Sequence, residues 1–549
     1  MKKRKKALWV GIAVLAGLAV VFVYYYITLP AINIHASGLW YFILALVAFA
    51  AVAYALKKAG GQYRLYGTQA VMDWRAWKGL KVFAIAFFAI LAVYLIGSLL
   101  SSPIINAGKY RELLTVEERN FTEDIQEVDY STIPLLDKDS AALLGDRKMG
   151  SLVEMVSQFE VSNDYTQINY QGKPVRVTPL MYASAIKWLT NQKNGIPAYM
   201  MIDMTTQDTQ IVMLDQGIRY SKSEYFNRNL YRHLRFSYPT YIFDDQLFFE
   251  IDEEGTPYWV CPVKKFNIGL FGGQTVGRVV LCNAVTGECV DYAVEDVPQW
   301  VDKVYSAELL VQLYDYHGVL VHGFFNSVLG QRDCLTTTTG YNYIALDDDV
   351  WVYTGLTSVN GDQSNVGFVL MNQRTMEARY YKIEGATETS AMSSAEGQVQ
   401  NLGYRATFPL LLNIADEPTY FVALKDGAGL VKKYAMINIQ KYQWVAIGDT
   451  VGECEENYNK LLSTNGIVSQ NAAEQKKLTG KIEVIAPVVL EGTTHYFICL
   501  EGNDGVFDAD LSREELYGTV RLKQGDSVTL TYEPGYSLNR ILSIEQKTP

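Results

Sequence analysis

The sequence predicts an α+β protein with a membrane anchor: three N-terminal transmembrane helices, then repeated units of a helix packed on an antiparallel sheet, and finally a small β-barrel. Three observations predict this fold class. Long uncharged apolar runs stand near the start of the chain. The middle alternates amphipathic helical segments with runs of short strands, and the end holds about five strand patterns around one short helix.

Three uncharged apolar runs predict the membrane-spanning helices: Ala7–Leu29, Leu39–Leu56 and Val82–Leu100. A helix rises about 1.5 Å per residue, so roughly 20 residues cross the hydrocarbon core of a bilayer. A cleaved signal peptide is the alternative for the first run. However, that run ends without a small-residue cleavage pattern, and two more runs follow it. Because no run carries an ionisable side chain, an anchor is favoured over an ion pathway.

The distribution of charge predicts the orientation. Residues 1–101 hold eleven Lys or Arg and one acid, Asp73, so the rest of the chain carries −11 − 10 = −21. The basic residues precede the first run or fill the loop after the second, whereas the link Pro30–Ser37 has none. The positive-inside rule then puts the N-terminus in the cytoplasm and everything after about Ser101 outside a plasma membrane. An acidic domain repels phosphate backbones, which argues against nucleic acid as a partner.

Changes in composition predict five regions along the chain. Residues 1–101 form the anchor, and 102–150 form a polar stalk or linker. Two α+β regions follow at 151–335 and 336–460. The strand order at 476–549 suits a small barrel of the OB type. Barrels of this type often bind oligonucleotides or sugars, but this one lacks a basic, aromatic-rich face, so a packing or interaction module is favoured.

Two segments about 90 residues apart share one outline. Val279–Tyr292 (VVLCNAVTGECVDY) and Phe368–Tyr381 (FVLMNQRTMEARYY) both contain an apolar strand, an Asn, a short turn and a Tyr-containing strand. The likeness predicts a repeated hairpin within two α+β units of common design. Independent convergence on one hairpin sequence is the alternative, because the match covers only 14 residues.

The segment 221–297 resembles a known family. A helix predicted at 221–234 is followed by FFEIDEEGTPYWV and then by VVLCNAVTGECVDY, and this order resembles the PepSY-type domain. That family packs a helix on an antiparallel sheet with a D-x-x-T-G-E-like turn; here the turn is Asn283–Glu288, with Asn where Asp is more usual. The resemblance implies an extracytoplasmic, non-catalytic module that regulates a peptidase or an envelope machine. The whole arrangement is also similar to multi-pass membrane proteins of Gram-positive bacteria.

Two of the six cysteines are candidates for a disulfide. If the hairpin turn is the four residues Ala284–Gly287, Cys282 faces Cys289, and the oxidising side of a membrane permits a bond between them. A two-residue turn would break this register. The second hairpin carries Met371 and Ala378 at these positions, so a small apolar pair is the alternative. No C-x-x-C occurs, and neither a zinc site nor a cofactor is predicted.

Two other clusters carry metal-ligating side chains. Asp347–Asp349 offers oxygen ligands suited to calcium, but it lacks the EF-hand pattern. His317 and His322 are five residues apart, which suits neither one helical face nor one strand face. A solvated turn and packed or surface histidines are favoured for them, so no metal site is predicted.

The expected function is binding or scaffolding at the cell envelope, without catalysis. The expected partners are an envelope or membrane protein and the lipid bilayer. The alternative is a cell-envelope hydrolase that uses two carboxylates, which would show a deep cleft with converging acids of raised pKa.

Overall fold

A computed structural model describes residues 2–66, 74–126, 133–346, 348–359, 364–465, 467, 476–490, 493–503, 505–511, 513–533 and 538–546. The fold mixes helices and sheets, as predicted. The chain divides into two compact units, of which the larger extends to Glu455 and the smaller contains Glu456–Pro549 with Ile414–Glu417.

The N-terminal part consists of long apolar helices: α1 (Lys2–Thr28), α2 (Ser37–Tyr66) and α3 (Trp74–Leu100). Within the described residues, Ser37–Lys58 and Gly79–Leu100 are long and apolar enough to cross a membrane, and Val14–Thr28 is a shorter apolar stretch. The structure therefore supports two helices of membrane-crossing length, and the third span stays a prediction.

The other helices are shorter: α4 (Pro103–Arg111), α5 (Phe121–Asp124), α6 (Lys138–Gly150), α7 (Val153–Val156), α8 (Ala185–Asn191), α9 (Leu230–Ser237), α10 (Ala307–Val319), α11 (Glu388–Gln398) and α12 (Val451–Thr464). Most of them begin at a side chain that accepts a backbone N–H of the first turn, which satisfies one donor that the helix leaves free. These capping residues are Asn120 for α5, Asp137 for α6, Ser184 for α8, Asn229 for α9, Ser306 for α10, Thr387 for α11 and Thr450 for α12.

The first two sheets of the large unit are antiparallel. Their strands, after the early strand β1 (Val116–Arg119), are β2 (Phe159–Val161), β3 (Thr166–Tyr170), β4 (Lys173–Tyr182), β5 (Ile196–Asp203), β6 (Thr209–Ile218), β7 (Phe248–Ile251), β8 (Pro257–Ile268), β9 (Gly272–Asn283) and β10 (Cys289–Ala293). The first sheet has the order β2-β4-β5-β6, with β3 also paired to β4. The second has the order β10-β9-β8-β7.

The next two sheets are antiparallel except for one parallel pair, β1 with β16. Their strands are β11 (Leu335–Thr337), β12 (Asn342–Leu346), β13 (Asp349–Ser358), β14 (Ser364–Asn365), β15 (Gly367–Asn372), β16 (Ala378–Tyr381), β17 (Gly385–Ala386), β18 (Arg405–Ala406), β19 (Leu410–Ile414), β20 (Glu417–Lys425), β21 (Val431–Asn438) and β22 (Val445–Gly448). The third sheet has the order β1-β16-β15-β13-β11, with β12 paired to β13, and the fourth has the order β18-β20-β21-β22, with β19 paired to β20. Strands β14 and β17 pair separately.

The region predicted as a stalk contains α4, β1, α5 and α6. Strand β1 pairs in parallel with β16, and Tyr110, Leu114 and Phe121 are buried. In its described part, this region therefore packs into the large unit.

Helix α9 begins later in the sequence than predicted, at Leu230 rather than near Ser221. The Ser221 hydroxyl lies 3.2 Å from the Ser223 hydroxyl, and Asn229 caps the helix instead. The helical prediction over 221–234 is therefore wrong at its start, because the S-K-S-E pattern does not cap a helix here.

The β9–β10 hairpin has the predicted register, in which Cys282 pairs with Cys289, and the β15–β16 hairpin pairs Met371 with Ala378. Both turns are held by the Asn that ends the first strand. Asn283 Oδ1 accepts the N–H groups of Val285 and Thr286, each at 2.9 Å, and Asn372 bonds its own turn in the same way. The two hairpins thus share their hydrogen bonding as well as their outline, and a repeat of two units of common design stays a prediction.

A third copy of this turn joins β5 to β6. Asp203 Oδ1 accepts the N–H groups of Thr205 and Thr206 at 2.8 and 2.9 Å. The three turns share two further features, a Thr hydroxyl that accepts the N–H two residues on and a positive φ at the fifth residue. The sequence alternation at 198–203 and 209–214 also predicts this pair of strands, but the likeness of its turn to the other two is seen only in the structure. We name this element the Asx–Thr turn.

The Asx–Thr turn makes a specific stability prediction. Asn283→Ala removes the one side-chain oxygen that accepts both N–H groups, and we expect it to lower the free energy of unfolding by about 1–2 kcal/mol. Asn283→Asp should retain most of that stability, because Asp203 makes the same bonds in the first sheet. Thermal unfolding of the two variants checks this, and equal destabilisation by both would contradict the role of the acceptor oxygen.

The smaller unit contains the predicted C-terminal barrel. Its strands are β23 (Lys476–Leu490), β24 (Thr493–Leu500), β25 (Val506–Asp510), β26 (Ser527–Glu533) and β27 (Asn539–Gln546). They close in the order β23-β24-β25-β27-β26, around an apolar core that includes Ile498, Phe507 and Leu530. A 3₁₀ helix, Glu514–Arg521, connects β25 to β26.

Candidate functional site

A polar cavity of about 530 Å³ lies within the large unit. Its lining includes Arg176 from the first sheet, Phe248 from the second and Tyr343 from the third. Residues at the start of α6 and α10 also contribute to it. This volume is within the range of about 300–1,000 Å³ that is usual for small-molecule sites. It is called the central cavity below.

Arg176 is a deeply buried cation of the central cavity, with only 5% of its surface exposed. One terminal nitrogen donates to Gln167 Oε1 at 3.2 Å, but Nε has no partner among the described residues. Burial lowers the pKa of Arg176, because the charged form loses its hydration. A buried guanidinium with an unused donor can accept an anion with little rearrangement.

Lys303 is the second buried cation of the central cavity. Its Nζ lies 3.9 Å from the centre of the Tyr343 ring, a cation–π contact. Among the described residues, no carboxylate makes an ion pair with Lys303 or with Arg176, whereas Lys222 pairs with Asp164 at 2.7 Å. These two cations therefore make no direct ion pair with a described carboxylate, although Asp137 and Asp139 act electrostatically on Arg176, and Glu250 and Asp302 on Lys303.

Two buried acids support the segment that carries Lys303. The Glu250 carboxylate accepts the backbone N–H groups of Asp302 and Lys303, at 2.9 and 3.0 Å, and Asp302 accepts the N–H of Asn169 at 2.6 Å. Burial raises the pKa of Glu250 to about 7 and raises that of Asp302 well above its usual range. Neither acid lines the central cavity, so both hold the backbone rather than meet a ligand.

The carboxylates that do line the central cavity have partners. Asp137 pairs with Lys425, and Asp164 pairs with Lys222. Asp245 pairs with Lys264, and Glu308 accepts the Tyr341 hydroxyl at 2.6 Å. Three of these four carboxylates are thus in ion pairs, whereas Arg176 and Lys303 are not, and this difference favours an anionic ligand.

The predicted cysteine pair lies outside the central cavity. Cys282 and Cys289 face each other in the β9–β10 hairpin, and both are free thiols in the structure. Their predicted disulfide stays a prediction. Helix α9 adds a residue that the sequence analysis missed: the ligand atoms of His233, Cys282 and Cys289 all lie within 4.8 Å of one another. This group is called the Cys–His cluster.

The thiols of this cluster are not equivalent. The hydrogen bond with Cys282 and then the one with His233 lower the pKa of Cys289, although burial acts in the opposite direction. The same contact with Cys289, together with burial, raises the pKa of Cys282. Cys289 is therefore the thiol that ionises first.

The pKa difference predicts selective alkylation. In the reduced protein we expect iodoacetamide to modify Cys289 first, with an apparent pKa below the value of about 8.5 usual for a thiol. The His233→Ala variant should move that pKa upward, because it removes a group that stabilises the thiolate. Peptide mass spectrometry across a pH series measures both. An unchanged pH profile in His233→Ala would contradict the assignment.

The other two clusters of possible metal ligands, Asp347–Asp349 and the pair His317 and His322, form ion pairs and hydrogen bonds in their described part. Asp347 falls outside the described residues, and Asp349 is buried in an ion pair with Arg374 at 2.6 Å. His317 Nδ1 lies 3.2 Å from the Arg111 carbonyl oxygen, and His322 pairs with Asp333. The structure does not bring the two histidines together as one ligand group.

Neither a family model nor a curated protein matches this chain.

Proposed function

We propose that this protein is a membrane-anchored, extracytoplasmic binding protein of the cell envelope whose central cavity takes an anionic ligand. One observation supports this class of ligand: two buried cations of the cavity, Arg176 and Lys303, make no ion pair with a described carboxylate. Burying an unpaired charge costs several kcal/mol, on the order of the penalty known for buried ions. An anionic ligand that binds beside the two cations would offset this cost, because it supplies the opposite charge.

The contacts of the N-terminal helices support the anchor. We call the part of the large unit that follows α3 the body. The link between α1 and α2 contacts the body, since the Ile32 N–H donates to the Pro239 carbonyl at 2.8 Å. At the end of α3, the Ser101 hydroxyl accepts the N–H groups of Leu270 and Phe271. Gly272 permits this approach, because a Cβ there would lie 2.1 Å from the Ser101 carbonyl oxygen.

The direction of the helices supports an extracytoplasmic body. The body contacts the C-terminal ends of α1 and α3 and the link that leads into α2. The Lys and Arg residues of this region lie toward the opposite ends of the three helices, at Lys2–Lys6, Lys57–Arg64 and Arg75–Lys81. By the positive-inside rule, those ends are cytoplasmic, so three spans would place the body outside.

Exposed apolar side chains continue the surface next to α3. Helix α4 follows α3 directly and exposes Ile105, and α10 packs on α4 through Tyr110 and Tyr316, whose ring centres are 4.8 Å apart. The segment after α10 exposes Phe325 and Leu329. An apolar surface of this kind suits the interface of a bilayer.

The finer fold assignments belong to this proposal. A capped helix before each sheet and the three Asx–Thr turns favour PepSY-like units. The barrel order, in which the first strand pairs with the second and fourth and a helix follows the third, favours the OB type. In this proposal these modules bind an envelope or membrane protein, and the cavity binds a small anion or an anionic group of a larger ligand.

The hydrolase alternative gains no support from the central cavity. That chemistry needs two free carboxylates on either side of a cleft. Here the lining carboxylates have partners, and the buried acids of raised pKa bind backbone N–H groups.

The test uses the full-length protein in detergent or nanodiscs. We expect phosphate or citrate to raise the melting temperature more than chloride at equal ionic strength, because an anion that binds only the folded state stabilises it. If phosphate raises the melting temperature more than citrate does, the natural ligand carries a phosphate group; the opposite order indicates a carboxylate. Arg176→Met and Lys303→Met should each weaken the apparent affinity at least tenfold.

Arg405→Met is the matched control, because Arg405 is exposed and pairs with Glu396 on the surface. This variant should respond to anions like the wild type. An equal response in all four proteins, or none in the wild type, would overturn the proposed anion site.

A further inference from the structure

We propose that the Cys–His cluster binds a zinc ion through two thiolates and one imidazole and thereby ties α9 to the β9–β10 hairpin. Thiolate sulfur and imidazole nitrogen are preferred zinc ligands. Tetrahedral bonds of about 2.3 Å to sulfur and 2.0 Å to nitrogen place the ligand atoms roughly 3.5–3.8 Å apart. The ligand atoms of His233, Cys282 and Cys289 lie within 4.8 Å of one another, so small side-chain rotations suffice.

The hydrogen bond of His233 suits a metal ligand. Its Nε2 lies 2.7 Å from the Gly287 carbonyl oxygen, and a carbonyl can only accept, so Nε2 carries the proton. The lone pair of the neutral ring is then on Nδ1. Metal-binding histidines commonly make such a bond to a carbonyl, which fixes the tautomer and the orientation of the ring.

The surroundings of the cluster hold the imidazole in place. The Tyr220 ring packs on His233, with ring centres 4.5 Å apart, and it also packs on Gly287. Gly287 has φ +79°, and a Cβ at this position would lie 2.3 Å from Tyr220. Only glycine therefore allows the hairpin turn, the tyrosine and the histidine to meet here.

A zinc ion uses the whole cluster, whereas a disulfide uses only two of its members. A bond between Cys282 and Cys289 would leave His233 with only its hydrogen bond to the Gly287 carbonyl and its packing on Tyr220. Cys282 is buried, while His233 and Cys289 are partly exposed, so water can reach a fourth coordination position. In the described part of the chain, no fourth His, Cys, Asp or Glu joins the group.

Zinc binding would stabilise the contact between α9 and the elements around it. Helix α9 also contacts the end of α1, since Arg235 Nε donates to the Leu29 carbonyl at 3.0 Å and Arg232 lies 4.7 Å from the Tyr26 ring centre. A zinc ion would therefore stabilise the junction between α1 and the second sheet. This inference does not depend on the ligand of the central cavity.

The experiment titrates Zn²⁺ into the full-length protein after reduction and removal of metal, in competition with a chromophoric chelator. We expect one equivalent bound, and Co²⁺ should give the thiolate charge-transfer and tetrahedral d–d absorption of a sulfur-containing site. His233→Ala and Cys289→Ala should each lower the affinity at least tenfold. Cys499→Ser, on barrel strand β24, is the control and should bind like the wild type.

A double variant separates loss of metal from loss of folding. Cys282→Met with Cys289→Ala reproduces the pair Met371 and Ala378 of the β15–β16 hairpin, which packs without a metal ligand. It should fold, and Zn²⁺ should raise the melting temperature of the wild type but not of this variant. Three results would each overturn the proposal: no stoichiometric zinc in the reduced wild type, binding unaffected by His233→Ala and Cys289→Ala, or a Cys282–Cys289 disulfide in protein purified from membranes without reductant.

Discussion

Replacing Arg176 or Lys303 by Met is expected to stabilise the protein in the absence of ligand while it abolishes the response to anions. Each cation is buried, and neither makes an ion pair with a described carboxylate. Removal of a buried charge that makes no ion pair relieves its desolvation penalty, and Met fills most of the same volume. We expect the free energy of unfolding to rise by about 1–3 kcal/mol, within the range known for apolar replacement of buried charges.

The measurement is denaturant or thermal unfolding of each variant without added phosphate or citrate. Lys425→Met is the opposing control, because it removes the partner of Asp137 at the same cavity. It should destabilise the protein, since a partly buried carboxylate is left unpaired. If Arg176→Met and Lys303→Met both destabilise as Lys425→Met does, the two cations have a structural role and the cavity loses its assignment.

A gain of stability on loss of binding would be the signature of a site that is held ready for a ligand. Mutations elsewhere in a core mostly destabilise, so the sign of the effect separates the two cases. The same logic does not apply to Lys222, because its charge is already compensated by Asp164.

Local features of the fold could be predicted from the sequence where one short segment contains the whole interaction. The four-residue turn after Asn283 sets the register of its hairpin, and the acceptor, the Thr and the Gly all lie within six residues. The likeness of the turn at Asp203 was missed because Asp stands there in place of Asn and the second strand, β6, contains no Tyr. The physical requirement is an oxygen acceptor, which Asp supplies as well as Asn.

The candidate sites could not be predicted, because their residues come together only in the tertiary fold. Arg176 lies in KPVRVTPLMY, where a charged residue would normally mark the solvent face of a strand. It is buried because other elements also cover that face of β4. His233 is distant in sequence from Cys282 and Cys289, so no motif with ligand spacing connects them. To predict the cluster, one would have to know which face of α9 packs on the β9–β10 hairpin, and the sequence does not give this.

The pH dependence of stability is expected to differ sharply between the wild type and Glu250→Ala. Burial raises the pKa of Glu250 in the folded state to about 7, from an ordinary value of 4.5. Between these two values the folded state holds a proton that the unfolded state has released, so this residue makes stability fall as pH rises from 4.5 to 7. Below that window both states are protonated, and above it both are ionised, so the contribution becomes constant.

We therefore expect the stability of Glu250→Ala, relative to the wild type, to increase by an amount on the order of 3 kcal/mol between pH 4.5 and pH 7.5, since each pKa unit corresponds to about 1.4 kcal/mol. The baseline of the variant can lie lower, because Asp302 and Lys303 lose the acceptor of their N–H groups. The test is therefore the change of the difference with pH, which urea unfolding at several pH values measures. Glu254→Ala, which removes an exposed carboxylate from the turn after β7, should follow the wild type in parallel. If the two Ala variants gave the same pH profile, Glu250 would not be the group that is buried in its protonated form, and its support of Lys303 would need another explanation.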